Sequence, residues 1–428
     1  MIEIGKIAVE HREGRSRLVA AVRVPQDAIR VWQQRAARLD AHMKDRYRSE
    51  YLDAESRFRL WFEVEEAYAD ALCPERSDAF LTAILYFAMV SGEDIRCEAP
   101  VTDKLLYQIK EYLIPSLCDE SKGYRRISVE AEPAPEAEKV AAFVGTGISC
   151  GVDSFSTVLL HTKEELPEAF RLTHLTLFNT GAMNFAGYAK DKPLAQWREE
   201  TKKEFEERIA LGKKVAQELD MKFLAVDTNI PDLYQGCFSF SHTFRNLSAV
   251  LATQKTWGSY YYASAGEGNL NRVGLTQDSS FYDPLNLMAL SLRSLYFYSG
   301  GAPYTRLQKT EMIADDPVVQ KYLNVCSFHT VNCGRCEKCV RTLAAVDVLG
   351  KREAFRTAFP DMSYFENNKW KIMANIAEAR EDDFFSYETK QYMERHGIGL
   401  SAKSKQYHLL LPFRKVRRWF RKARKENG

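Results

Sequence analysis

The sequence predicts an α/β protein built on a parallel sheet with helices on both faces, with a smaller N-terminal α/β region and a four-cysteine metal-binding element. Three observations predict it. From Lys139 onward, short apolar runs alternate with segments of helical period, the pattern of parallel strands joined by crossover helices. Residues 139–159, KVAAFVGTGISCGVDSFSTVL, place a Gly/Ser turn between an apolar run and the helical stripe Val152, Phe155, Leu159. Four of the nine cysteines fall between Cys326 and Cys339, a spacing suited to one metal ion.

The N-terminal region, residues 1–135, opens with two β-rich runs, IEIGKIAVEH and SRLVAAVRV, split by the polar EGR, which reads as a hairpin. A charged helical stretch follows, and then RLWFEVEEAYAD. DAFLTAILYFAMVSG reads as a buried helix ending at Gly92, and Leu105, Leu106, Ile109 and Leu113 mark another helical stripe. YRRISVEA reads as a strand. The region carries no catalytic constellation and is either a small α/β domain or a set of strands extending the main sheet. AEPAPEAE, residues 131–138, has linker composition and is the expected boundary.

The main domain is expected over residues 139–345. LTHLTLFN is its second strand, a charged helix runs from about Gln196 to Leu219, MKFLAVDTN is the third strand, HTFRNLSAVLATQKT a helix and SYYYASAG the fourth strand. Ligands gather at the carboxyl ends of such strands, so Asn179, Asp227 and Glu267 are candidates, though each also suits a turn.

The turn at residues 145–151 opens onto a helix N-terminus, where unpaired N–H groups and the helix dipole favour an anion. Neither the G-x-x-x-x-G-K-[ST] nor the G-x-G-x-x-G motif is present. Ser149 and Ser154 add hydroxyl donors, and Gly151 allows close approach of the main chain. Asp153 would repel a bare phosphate unless a divalent cation intervened, so the turn suggests a magnesium–pyrophosphate cradle. If position 150 needs a positive φ, Cys150 is strained there.

Cys326, Cys333, Cys336 and Cys339 supply four thiolates within 14 residues, enough to close a tetrahedral zinc site with no open position, hence a structural one. An iron–sulfur cluster and redox thiols remain open on spacing alone. His329 lies in the same loop.

No run of 18 apolar residues occurs, and the first residues lack the pattern of a signal peptide; a cytoplasmic protein is expected. Residues 346–400 read as a charged helical region. Residues 401–428 hold ten Lys/Arg and one Glu, and Phe413, Val416, Phe420 and Ala423 share a helical face. That basic tail suits an anionic membrane surface, RNA, or plain solvation. A peripheral membrane association and a homodimer are left open.

Ser149-Cys150-Gly151-Val152-Asp153-Ser154 resembles the S-G-G-x-D-S signature of the PP-loop ATP pyrophosphatase superfamily, with Cys150 in place of the first motif glycine. Combined with the cysteine cluster, with Asp278-Ser279-Ser280-Phe281-Tyr282-Asp283 and with Lys309-Thr310-Glu311-Met312-Ile313, it resembles the 7-cyano-7-deazaguanine synthase family, as a divergent member. The resemblance covers residues 139–345. It implies a HUP-type fold and ATP, Mg2+ and Zn2+ as cofactors. It also implies adenylation of a carboxylate or amide substrate, releasing pyrophosphate, followed by displacement of AMP by ammonia or another amine. Ser149, Cys150, Gly151, Asp153 and Ser154 would then hold the pyrophosphate and magnesium, and Lys309 would neutralise phosphate charge. Asn179 and Thr180 would meet the nucleoside, and Tyr282 and Asp283 the substrate. A tRNA-modifying enzyme and a catalytically silent nucleotide-binding protein are the rival readings.

Overall fold

The computed structural model describes residues 1–39, 57–120, 123–183, 193–264 and 278–409. Glu267 and the tail residues Phe413, Val416, Phe420 and Ala423 lie outside the described residues.

Among the described residues twelve strands are formed: β1 (Ile2–Arg12), β2 (Arg15–Arg23), β3 (Arg57–Glu65), β4 (Ile95–Cys97), β5 (Val101–Thr102), β6 (Val129–Glu130), β7 (Pro133–Ala134), β8 (Phe143–Gly147), β9 (His174–Phe178), β10 (Lys222–Thr228), β11 (Trp257–Ala263) and β12 (Tyr296–Gly300). Ten of them form one sheet in the order β12-β11-β8-β9-β10-β3-β2-β1-β4-β6, while β5 and β7 pair apart. The run from β12 to β10 is parallel throughout. At β3 the sheet turns antiparallel and continues through the β1–β2 hairpin. The protein is thus α/β with a large, mostly parallel sheet flanked by helices.

The chain divides into two compact units, Met1–Ser149 with Thr157–Ala302, and Cys150–Ser156 with Pro303–Gly428. The boundary expected at residues 131–138 is therefore not where the units part. The N-terminal strands extend the main sheet, and β7 occupies the segment that has linker composition. The reason is pairing: β3 joins β10 through Asp227 opposite Glu63 and Thr228 opposite Phe62. The YRRISVEA segment yields only the two-residue β6.

In the first unit one apolar core runs from Ile2 to Phe297. Every residue of the helix Asp78–Ser91 is buried, as an all-round apolar helix requires. It ends at Gly92, whose φ of 79° is the left-handed cap that glycine supplies without strain. Gly145 in β8 is fixed by its neighbour: a Cβ there would stand 2.8 Å from the Trp257 ring of β11. β8 thus has β9 on one side and β11 on the other, so the direction of winding reverses beside it, and the crevice at its carboxyl end is where such sheets bind ligands.

The second unit is helical, with Arg306–Ile313, Pro317–Tyr322, Glu337–Val348, Ser363–Ala377 and Phe384–Arg395 as its main elements. Among the described residues no helix is long and apolar enough to cross a membrane.

Candidate functional site

The turn after β8 delivers the chain into the helix Val152–His161. Cys150 has φ 59°, so the position that glycine fills in the resembled signature does require the left-handed region. A cysteine there costs about 1–2 kcal/mol. Its side chain is buried, and its carbonyl accepts the backbone N–H of Asn324 at 2.7 Å. The Ser154 hydroxyl is buried and donates to the Gly151 carbonyl at 3.0 Å, closing the first turn. Its proton therefore serves the helix. Ser149 is exposed.

Asp153 stands at the head of this helix with two cations on it. Arg306 makes a very short contact with one carboxylate oxygen, and the Lys309 ammonium lies 3.4 Å from the other. Lys309 is 0% exposed, and burial lowers its proton affinity even though Asp153 opposes the shift. Arg341 is lowered as well, by burial and then by repulsion from Arg306. The Lys338 ammonium is lowered by desolvation and by repulsion from Arg306 and Arg341, although the residue as a whole is exposed. Glu388 accepts the Leu307 N–H at 3.0 Å, and burial raises it. Four cations thus share three carboxylates, Asp153, Glu337 and Glu388, beside a helix N-terminus, an arrangement that favours a polyanion. The Arg341 guanidinium lies 3.7 Å above the Phe385 ring, with its Nε buried and without a partner.

Two of these groups were within reach of the sequence. Thr305 and Gln308 form a capping box, a legible helix start that places Arg306 and Lys309 one turn apart on the same helix. Glu388 lies in a region with no motif and had no signal.

The sulfur atoms of Cys326, Cys333, Cys336 and Cys339 all lie within 4.8 Å of one another. A tetrahedral zinc with Zn–S of about 2.3 Å separates its sulfurs by about 3.8 Å, so these four could hold one metal ion. His329 is exposed and is not one of the group. Burial raises the Cys333 thiol, but backbone N–H groups of Arg335 and Cys336 outweigh this and bring it down to about 7. Asn332 braces the loop: its Oδ1 accepts the N–H of Val325 at 2.8 Å and of Cys326 at 3.1 Å, and its Nδ2 donates to the carbonyls of Leu323 and Ala358. Gly334 has φ 65°, and a Cβ there would stand 2.0 Å from the Asp361 carbonyl oxygen; no other residue fits. Cys336 is the N-cap of the helix Glu337–Val348, which carries Lys338 and Arg341. The cysteine cluster therefore sets where two of the four cations stand.

The remaining sequence candidates lie at strand ends of the first unit. Asn179 donates from Nδ2 to Asp227 at 2.7 Å, while its Oδ1 is buried without a partner. Burial raises Asp227. Thr180 donates to Asn246 at 2.5 Å, and Asn246 donates to the Tyr262 hydroxyl at 3.2 Å. Tyr282 and Asp283 are buried at 3% and 2% exposure. Asp283 accepts from Thr243 at 2.6 Å and is raised to about 7 by burial. Neither the sequence pattern nor the resemblance pointed to His242 or Tyr262, which join this network at 2.5 Å from each other. Comparison with protein-family models, with curated proteins and with solved structures gives no match for this chain.

Proposed function

We propose that this protein binds ATP and splits it between the α- and β-phosphates, activating a carboxylate or amide oxygen of a small-molecule substrate as its adenylate. Ammonia or another amine then displaces AMP. The observation that carries this reading is the gathering of Arg306, Lys309, Lys338 and Arg341 around Asp153 at the head of the helix Val152–His161. Pyrophosphate is the leaving group whose charge such a cluster stabilises as it develops.

In this reading Asp153 would hold a magnesium ion in place of its pairing with Arg306 and Lys309, and both cations would neutralise phosphate charge. Ser149 and the Cys150–Gly151 backbone line the turn, and Ser154 acts by holding Gly151 in place. The metal of the cysteine cluster is zinc, and its role is structural because four thiolates leave no position for substrate.

The test is product analysis. The purified chain with ATP, magnesium and a small-molecule cell extract should release AMP and pyrophosphate in equal amounts, and the Lys309→Met variant should not. Release of ADP and inorganic phosphate, or activity that survives in Lys309→Met, would refute the reading. The left-handed Cys150 favours one alternative, a nucleotide-binding protein without turnover. In that case Cys150→Gly gains pyrophosphate release that the natural chain lacks.

A further inference from the structure

We propose that the outer face of β1, β2 and β3 carries a binding site for a nucleoside 5′-monophosphate, either a free nucleotide or the phosphorylated end of a single-stranded RNA.

The site follows from strand alternation. In the registers of these strands Glu10 stands opposite Arg17, Arg17 opposite Glu63, and Val19 opposite Trp61, so these side chains share one face of the sheet. Leu18, Leu60 and Phe62 alternate with them and are buried in the core on the other face. On the outer face lies a cavity of about 280 Å³ whose lining includes Glu10, Arg12, Arg17, Arg59, Trp61 and, from the helix Leu194–Glu218, Arg198. All of these residues belong to the first unit.

Guanidiniums outnumber acids here. Glu10 is shared by Arg59, in a very short contact, and by Arg12 at 3.6 Å. Glu63 is shared by Arg17, again in a very short contact, and by Arg15 at 3.4 Å. Arg198 pairs with Asp232 at 2.6 Å. Five guanidiniums thus meet three carboxylates, which leaves two positive charges over. Of two further acids bordering the face, Glu65 pairs with Lys213 at 2.7 Å, and burial raises Asp227 toward its neutral form. Arg12 also stands directly opposite Arg15, a like-charge pair that weakens the hairpin and that a bound anion would offset. The side chains of Arg12, Arg59 and Arg198 are each about half exposed, so a ligand can reach them.

A phosphate monoester carries about two negative charges at neutral pH, which matches that surplus, and guanidinium forks take its oxygens in pairs. A single carboxylate would leave one charge over. Trp61 selects for a ring: the Arg17 guanidinium lies 4.0 Å above the indole, and a nucleobase extends such a stack. Asn229 holds this wall in place, accepting the Trp61 N–H at 3.0 Å and donating to the Arg59 carbonyl at 2.8 Å. The volume is near the lower end of the range for small-ligand pockets, about 300 Å³, which suits one nucleotide rather than a longer stretch of chain.

The test is titration calorimetry on the full-length chain without metal. It is run in Lys309→Met, which disables the cation cluster of the second unit, so the outcome does not depend on adenylation. The probes are AMP, adenosine, and a short single-stranded oligoribonucleotide with a 5′-phosphate or a 5′-hydroxyl. The phosphorylated probes should bind, and their unphosphorylated counterparts should bind at least about tenfold more weakly. Adding Arg12→Ala or Arg59→Ala should weaken the phosphorylated probes at least about tenfold, and Trp61→Leu about tenfold. Arg59→Lys, which keeps the charge and the fold but loses the fork, should fall between. Binding of AMP but not of the phosphorylated oligoribonucleotide identifies a free nucleotide as the ligand; tighter binding of the phosphorylated oligoribonucleotide identifies an RNA end. Binding of neither, binding indifferent to the 5′-phosphate, or binding unaltered in Arg12→Ala and Arg59→Ala overturns the proposal.

Discussion

The backbone N–H of Asn324 donates to the carbonyl of Cys150 at 2.7 Å, and Asn324 lies two residues ahead of Cys326. The turn at the head of the Val152 helix is thus tied, through one hydrogen bond and a very short stretch of chain, to a loop shaped by four cysteines. The same Asn324 donates its side-chain amide to the Thr330 carbonyl, so the tie is held at both ends of the loop.

Metal removal should therefore be felt at the anion site. The natural chain should contain about one zinc ion. Chelation, or Cys336→Ser, should lower the melting temperature and weaken pyrophosphate binding at least about tenfold, because Lys338 and Arg341 ride on the helix that Cys336 begins. Isothermal titration with pyrophosphate before and after chelation checks this. Unaltered affinity in metal-free protein would separate the two features.

At position 150 the backbone cost can be isolated from the loss of the thiol by comparing two small residues. Both Cys150→Ala and Cys150→Gly remove the buried sulfur, but only glycine relaxes at φ 59°. The glycine variant should be the more stable of the two by about 1 kcal/mol, read from denaturant midpoints. Equal stability would mean that the turn changes its conformation when the sulfur leaves.

Removing Asp153 should have opposite effects on binding and turnover. In Asp153→Ala, Arg306 and Lys309 lose their carboxylate, so the fold weakens by about 2–4 kcal/mol and metal-free pyrophosphate binds more tightly than to the natural chain. Magnesium-dependent release of pyrophosphate from ATP should vanish. Weaker metal-free binding in that variant would show that the cations do not face the anion.

Asp283 predicts a pH dependence of stability. Its folded value, about 7, lies above its ordinary 3.8 because burial disfavours the charged form. The folded state then holds a proton that the unfolded chain has released, so stability is greatest below about pH 4 for this group and declines as pH rises toward 7, levelling off above. Compared with Asp283→Asn, whose amide does not titrate, the natural chain should lose melting temperature across that interval. A constant difference between the two from pH 4 to 8 would show that Asp283 is not held protonated.

Much of the chain could be read without coordinates because the relevant forces are local. The β1–β2 hairpin follows from two alternating runs around a polar turn, the helix Asp78–Ser91 from an unbroken apolar stretch closed by Gly92, and the four-sulfur cluster from spacing that allows few other geometries. The strand–turn–helix at residues 140–160 is equally local. What the sequence could not decide were arrangements resting on contacts far apart in the chain. The attachment of β3 to β10 depends on pairing across about 160 residues, and β12, with the exposed Tyr296, gives no clear strand pattern. Arg306, Arg341 and Glu388 become neighbours of the Asp153 site only through helix packing in the second unit. His242, Tyr262 and Asp278 meet because a helix, a strand end and a turn converge, and no periodicity in a single segment carries that information.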